Sequence, residues 1–192
     1  MMPMTAHTAH DAAALTKSQL RTRVRTVFPT LAAQGLARAD AAIERHLIEL
    51  LGALQLQGVL GGYQPIQRPS FQEPQIDWGA CAARAGLVVA FPLVDKGHMI
   101  YRTADGVPCV PQALVIPAVG YDMRGYRLGH GAGNFDKYLT DHTVRATIGV
   151  VYAWQIIATI PTDAWDRPVQ WIVTDDGIHR IAPSGRSQTG SN

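Results

Sequence analysis

Between Tyr121 and Lys137 the chain places Gly125, Gly129, Gly131 and Gly133 within nine residues, with Arg127 among them and Lys137 just beyond. Glycines let a backbone come close to a ligand, and N–H groups turned inward from such a loop suit phosphate oxygens. The residues from about Asn134 read as a short helix, whose N-terminus would add its positive end to the same place. Arg127 and Lys137 would supply fixed charge. The spacing matches neither the Walker A pattern nor the dinucleotide fingerprint, so these residues alone leave open a phosphate loop and a plain tight connection.

A second group lies near the N-terminus, where Lys17, Arg21 and Arg25 recur every four residues with no acid between them. Like charges at that spacing oppose a helix by a few tenths of a kcal/mol per pair. At 100° per residue, Lys17 and Arg21 fall within about 20–60° of Val24, beside the buried stripe rather than opposite it. Cations there point to an anion between helix and sheet, against the alternative of a solvated basic face. Towards the C-terminus, Asp166 could ligate a hard metal, whereas Asp175 and Asp176 beside Gly177 read as turn residues. His46, on an amphipathic helix, and His142, in a loop, read as structural or solvated. The sequence has no Gly-x-Ser-x-Gly elbow, and neither Cys81 nor Cys109 has an evident histidine partner, which disfavours nucleophilic hydrolysis.

These groups need elements to hold them. Leu20, Val24 and Phe28 predict a helix from about Asp11 to Phe28, stopped by Pro29; Ile43, Leu47, Leu50, Leu51 and Leu54 predict a second over Ala37–Leu54. Short β-rich runs then alternate with helical ones: Val59–Tyr63, a helix over Ile76–Ala85 closed by Gly86, and Leu87–Phe91. Further strands are expected at His98–Arg102, Ala113–Ile116, Thr147–Tyr152 and Trp171–Thr174. Several are apolar throughout, as strands buried on both faces of a parallel sheet are. The grammar is α/β.

With 192 residues, 47% hydrophobic and 17% charged, the chain is long enough for one domain with a real core. Residues 1–10, with His7 and His10, read as a flexible lead-in, 11–182 as the domain, and 183–192 as a flexible polar tail. A net charge of +2 is too small for an electrostatically driven nucleic-acid binder. Two cysteines in no metal spacing fit a reducing compartment, and the absence of a signal-like or spanning apolar run predicts a soluble cytoplasmic protein.

The string Tyr121-Asp122-x-x-Gly125-x-Arg127-Leu128-Gly129-x-Gly131-x-Gly133-x-Phe135-Asp136 resembles the signature of the 5-formyltetrahydrofolate cyclo-ligases, also called methenyltetrahydrofolate synthetases. Lys17-x-x-Leu20-Arg21 is similar to that family's N-terminal K-x-x-L-R helix. Ile148-Gly149-Val150, Gln155, Ile160-Pro161, Asp166 and Val173-Thr174-Asp175 are similar, in order, to its C-terminal segment. The similarity runs from about residue 17 to 178.

The resemblance implies a single open Rossmann-like α/β domain, a mostly parallel sheet flanked by helices. It implies ATP- and Mg²⁺-dependent cyclisation of 5-formyltetrahydrofolate to 5,10-methenyltetrahydrofolate, with release of ADP and phosphate. The formyl oxygen attacks the γ-phosphate, and the second folate nitrogen then closes the ring, chemistry that asks chiefly for in-line positioning and charge neutralisation. It assigns Lys17, Arg21 and Arg127 to the phosphates, and Leu128, Gly129, His130, Gly131, Ala132, Gly133, Asn134 and Phe135 to the nucleotide loop. Lys17, Arg127 and Asn134 would act on the reacting groups, Asp136 and Asp166 would hold magnesium, and Met99, Tyr101 and Glu73, with Gln75 as the alternative to Glu73, would line the folate pocket. The expected partner is the folate alone, with no nucleic acid or membrane, on a monomer or weak homo-oligomer. Two departures stand out: Asn134 occupies a place where relatives usually carry tyrosine, and the connection from Arg102 to Ala113 is short. They keep in view a non-catalytic nucleotide- or folate-binding relative and an ATP-using enzyme acting on a different small amide.

Overall fold

A computed structural model describes residues 15–32 and 35–182; the expected flexible ends, with His7 and His10, lie outside the described residues. The helices are α1 (Lys17–Ala32), α2 (Ala37–Leu54), α3 (Trp78–Ala85) and α4 (Asn134–Asp141). The strands are β1 (Val59–Gly61), β2 (Gln67–Arg68), β3 (Phe71–Gln72), β4 (Val88–Asp95), β5 (His98–Thr103) and β6 (Pro108–Cys109). They continue with β7 (Ala113–Pro117), β8 (Gly120–Tyr121), β9 (Arg127–Leu128), β10 (Ala146–Val150), β11 (Trp171–Thr174) and β12 (Gly177–Arg180).

Eight strands form one sheet in the order β12-β11-β10-β7-β1-β4-β5-β6. The five from β11 to β4 are parallel, and β12, β5 and β6 extend the edges antiparallel. This is the open, mostly parallel α/β architecture expected from the apolar runs. Strand β7 shows why those runs do not alternate: Ala113 and Val115 face a core built with Ile43, Leu47, Leu50 and Leu51 of α2, while Leu114 and Ile116 face a second core with Tyr101 and Tyr138. On that second face Gly149 leaves room for the Tyr121 ring, whose atoms would lie 2.6 Å from a Cβ there.

From the central β1 the chain steps outward to β4 and then returns to β7 on the other side. That reversal opens a crevice at the carboxyl ends of β1 and β7, the place where open α/β sheets take ligands. Helix α1 packs over this end of the sheet. Its Leu20 and Val24 meet Phe71, Val119, Leu128 and Ile160 in a third, smaller core.

Helix α1 departs from expectation at both ends. It starts at Lys17 because Thr16 and Gln19 form a reciprocal cap: Gln19 N–H donates to Thr16 Oγ1 at 3.3 Å, and Thr16 N–H to Gln19 Oε1 at 2.9 Å. It also runs through Pro29 to Ala32. A proline in the last turn removes one backbone bond and leaves the turn standing. The other helices follow the sequence closely: α2 has the expected bounds, and α3 is capped by Asp77, which accepts from Ala80 N–H, and by left-handed Gly86. Strand β4 extends to Asp95 and turns at Lys96 and Gly97, both with positive φ, into β5. Among the described residues no helix is long and apolar enough to cross a membrane.

Candidate active site

The crevice is a cleft with two lobes divided by the loop from Gly129 to Asn134. One lobe, about 330 Å³, is mainly apolar; Tyr63, Ile66, Pro92, Leu93, Met99 and Phe135 line it, with Glu73 and His130 on its wall. The other, about 780 Å³, is polar, and Lys17, Arg21, Lys137, Asp163 and Asp166 line it. Arg127, Gly129, Gly133 and Asp136 face both.

The dividing loop is held at each end. The β8–β9 hairpin precedes it, anchored by the fully buried Asp122, whose carboxylate accepts from Arg124, from the N–H groups of Arg124 and Tyr126, and from Ile160 N–H across the fold. Gly133, at φ 67, turns the chain into α4 in a left-handed conformation that a side chain would strain. With glycine there, no side chain caps the start of α4. From α1, Arg21 Nε donates to Gly129 carbonyl at 2.7 Å.

Two cations of the polar lobe, Lys17 and Arg127, already face carboxylates. Lys17 Nζ lies 2.6 Å from Asp166 Oδ2 and 2.8 Å from Asp163 Oδ2. Burial alone would raise the Asp166 carboxyl, but hydrogen bonds from Lys17 and from Asp163 N–H outweigh it and hold the group below its ordinary value. Burial likewise works against the Lys17 ammonium, and the two aspartates overcome it, raising its pKa. Arg127 is deeper, its side chain only 6% exposed. Its Nη1 donates to Arg167 carbonyl at 2.9 Å. Its Nη2 lies 2.5 Å from Asp136 Oδ1, off the hydrogen-bonding direction, so this buried nitrogen is charge-paired yet lacks a directed acceptor. The sequence pointed to cations waiting for an anion; the structure shows Lys17 holding two carboxylates, Arg127 facing one, and Arg21 holding a backbone carbonyl.

On the apolar side, Glu73 is buried and both its oxygens are engaged: Oε2 accepts from Ile66 N–H at 2.8 Å, and Oε1 lies 2.9 Å from His130 Nε2. Met99 lines this lobe. Tyr101, expected beside it, does not; fully buried, it packs edge-on to Tyr138 and fills the space that Gly61 leaves. Leu128 is likewise core, beneath α1 rather than in either lobe. Gln75 turns away from the cleft to Gln67. Asn134, Ala132 and Phe135 line the apolar lobe, Gly131 the polar one. Arg25, with its side chain half-buried on α1, lines neither lobe. Two residues that the sequence did not single out also hold the site: Asp163 shares the Lys17 ammonium with Asp166, and Arg167 acts through its backbone, its carbonyl accepting from Arg127 and its N–H donating to Asp136; only their position beside Asp166 could have drawn attention to them. Asp175 accepts from Ala153 N–H, a structural role at a turn.

The domain is thus an open, mostly parallel α/β sheet with an apolar and a charged lobe side by side at its switch point. The comparisons with known proteins are consistent with that class. Residues 106–175 match the model of the 5-formyltetrahydrofolate cyclo-ligase family. A 5-formyltetrahydrofolate cyclo-ligase of Escherichia coli is 33% identical over 67 residues, 34% of this chain and 37% of that protein. The Mycoplasma pneumoniae cyclo-ligase is 36% identical over 64 residues, 33% of this chain and 38% of that one. The matched segment thus spans a little over a third of these relatives. A 5,10-methenyltetrahydrofolate synthetase structure from Mycoplasma pneumoniae superposes with a TM-score of 0.74 at 23% identity, covering 84% of this chain and 99% of that one. One from Aquifex aeolicus gives 0.67 at 23%, covering 92% and 97%. The fold is therefore shared along nearly the whole domain, and the resemblance read from the Gly loop is found again in the sequence comparisons.

Proposed function

We propose that this protein is a 5-formyltetrahydrofolate cyclo-ligase, joining an ATP-derived phosphate to the formyl oxygen and closing the ring to 5,10-methenyltetrahydrofolate. The observation that carries the reading is the pair of lobes sharing Arg127, Gly129, Gly133 and Asp136, which would let a folate and a triphosphate meet across one loop. An apolar wall suits a pterin ring, and a charged lobe walled by glycine backbone suits phosphates. In this reading Lys17, Arg21 and Arg127 bind the phosphates, and Asn134 and Met99 face the folate.

The polar lobe also fits magnesium. Asp136 and Asp166 are hard oxygen donors, although among the described residues no three His, Cys, Asp or Glu side chains group closely enough to hold a metal unaided. Magnesium is commonly bound by one or two carboxylates completed by phosphate oxygens, so it would enter with the nucleotide. Bound there, it would neutralise the charge that develops on the transferring phosphate. Asp136 and Asp166 would then exchange a basic partner for the ion, leaving Lys17 and Arg127 for the phosphates. The free thiols of Cys81 and Cys109 fit a reducing, cytoplasmic setting.

The test is incubation with ATP, Mg²⁺ and 5-formyltetrahydrofolate, following the methenyl chromophore and ADP together. Equal release of both is expected. The ion pairs that occupy Lys17 and Arg127 favour one other reading, a binding module that does not turn over ATP; protein that binds ATP but forms neither product would establish it.

A further inference from the structure

The residue between Gly129 and Gly131 is His130, and its contacts are unlike those of the rest of the phosphate-facing loop. Its Nε2 is 2.9 Å from Glu73 Oε1, and the ring meets Phe71 edge-on, with centroids 5.3 Å apart. Glu73 is itself fixed, its side chain 2% exposed and its other oxygen held by Ile66 N–H. One residue away, Arg21 ties the carbonyl of Gly129 to α1. The imidazole is therefore oriented through its carboxylate partner, its aromatic neighbour and its backbone, yet it keeps 31% of its surface open and lines the apolar lobe. A carboxylate only accepts, so Nε2 carries the hydrogen and Nδ1 is left with its lone pair. Nδ1 makes no hydrogen bond among the described residues.

From this geometry we infer that His130 is the base of ring closure, with Glu73 as its positioning residue; the inference rests on the cyclo-ligase reading. The ring-closing nitrogen of the folate is a secondary amine. As its lone pair forms the new N–C bond to the formyl carbon, whose oxygen carries the phosphoryl group, the π electrons between that carbon and the formyl-bearing nitrogen move onto that nitrogen, the electrons of the attacking nitrogen's N–H bond stay with it, and the proton passes to His130 Nδ1. The C–O bond then breaks with its electron pair on the departing phosphate, leaving the methenyl cation. The imidazolium is stabilised by the Glu73 carboxylate until it gives its proton to water. A residue at the boundary between the lobes, with a bound acid partner and an open nitrogen, meets the geometric demand for a general base. Other ionisable groups facing this region are Tyr63 after β1, Arg127 on β9 and Asp136 on α4, with Arg21 approaching from α1.

The test is His130→Ala in the full chain, assayed across pH with and without added imidazole, alongside nitrogen NMR of His130 in the wild type without ligands. His130→Ala is expected to lower kcat about 100-fold or more with little change in KM for ATP, to lose the acid limb of the wild-type kcat profile, and to regain activity with imidazole. The NMR spectrum should show the Nε2–H tautomer when neutral, and Glu73→Gln should weaken that preference and lower kcat. Wild-type turnover matched by His130→Ala at every pH, or an Nδ1–H tautomer, overturns the role of His130 while leaving the cyclo-ligase reading intact. Wild-type protein that makes no methenyl product overturns that reading, and this one with it.

Discussion

Arg127 is the point where the two lobes meet, and one guanidinium there touches the Arg167 carbonyl, the Asp136 carboxylate and the open cleft. Its buried Nη2 faces the Asp136 carboxylate without a directed hydrogen bond. Neutralising Lys17 or Arg127 should remove a charge-assisted contact of about 1.5–3 kcal/mol, or roughly 10- to 150-fold in ATP affinity or kcat/KM. Arg25→Met is the control and should change neither; a Lys17→Met effect as small as that of Arg25→Met would make the basic face of α1 merely solvated. The carboxylates can be separated in the same way. Asp136→Asn and Asp166→Asn should raise the Mg²⁺ concentration needed for turnover, whereas Asp175→Ala, which loses the bond from Ala153 N–H, should lower Tm and leave the Mg²⁺ requirement alone. At this scale the sequence named most of the cleft: charge and glycine are legible as residue types. It could not show that Lys17 would be held by Asp163 and Asp166, or that Tyr101 would be core, because both depend on partners that only the folded chain brings near.

Among the elements, α1 differs from the others in what it rests on. Helix α2 buries Ile43, Leu47 and Leu51 against the central sheet, whereas α1 rests its Leu20 and Val24 on the loop layer above it. Leu47→Ala should therefore cost about 3 kcal/mol of global stability and lower Tm by roughly 6–12 °C. Leu20→Ala should act locally: amide exchange in α1 should quicken and KM for ATP rise, because Arg21 and Lys17 lose their platform, while Tm falls less. A Leu20→Ala Tm drop as large as that of Leu47→Ala, with KM unchanged, would make α1 an ordinary core helix. The long elements were legible because their apolar period or run length is strong, as in α2 and β7. The hairpins β2–β3 and β8–β9 were not, since two-residue strands are too short to show a period. Strand β12 was hidden for another reason: Gly177, Ile178 and His179 are half-buried at a sheet edge and follow Asp175 and Asp176, so the turn signal dominates.

Across the whole molecule, the Lys17 bridge joins the first helix to a segment 149 residues later and closes one side of the polar lobe. Its response to pH follows from the two shifts. The Asp166 carboxyl is held below its ordinary value of 3.8, so its stabilisation is complete above that pH and is lost as pH falls through the lower, folded value. The Lys17 ammonium is raised above 10.5, so its stabilisation is complete below that pH and is lost as pH rises through the higher, folded value. Between those limits the bridge should contribute a constant amount, about 1 kcal/mol for a partly exposed pair and less at high salt. Removing Lys17 is the cleaner perturbation, because Asp166→Asn leaves the ammonium with Asp163 at 2.8 Å. A Lys17→Met, Asp166→Asn double-mutant cycle, read from urea unfolding, should give a coupling that is flat from about pH 5 to 9 and fades as the pH falls below 3.8. If the nucleotide takes Lys17 and the ion takes Asp166, as in the proposed cyclo-ligase site, ATP with Mg²⁺ should erase that coupling at neutral pH. A coupling that survives saturating ATP and Mg²⁺ would mean that the bridge is a permanent staple of the fold rather than the resting state of the site.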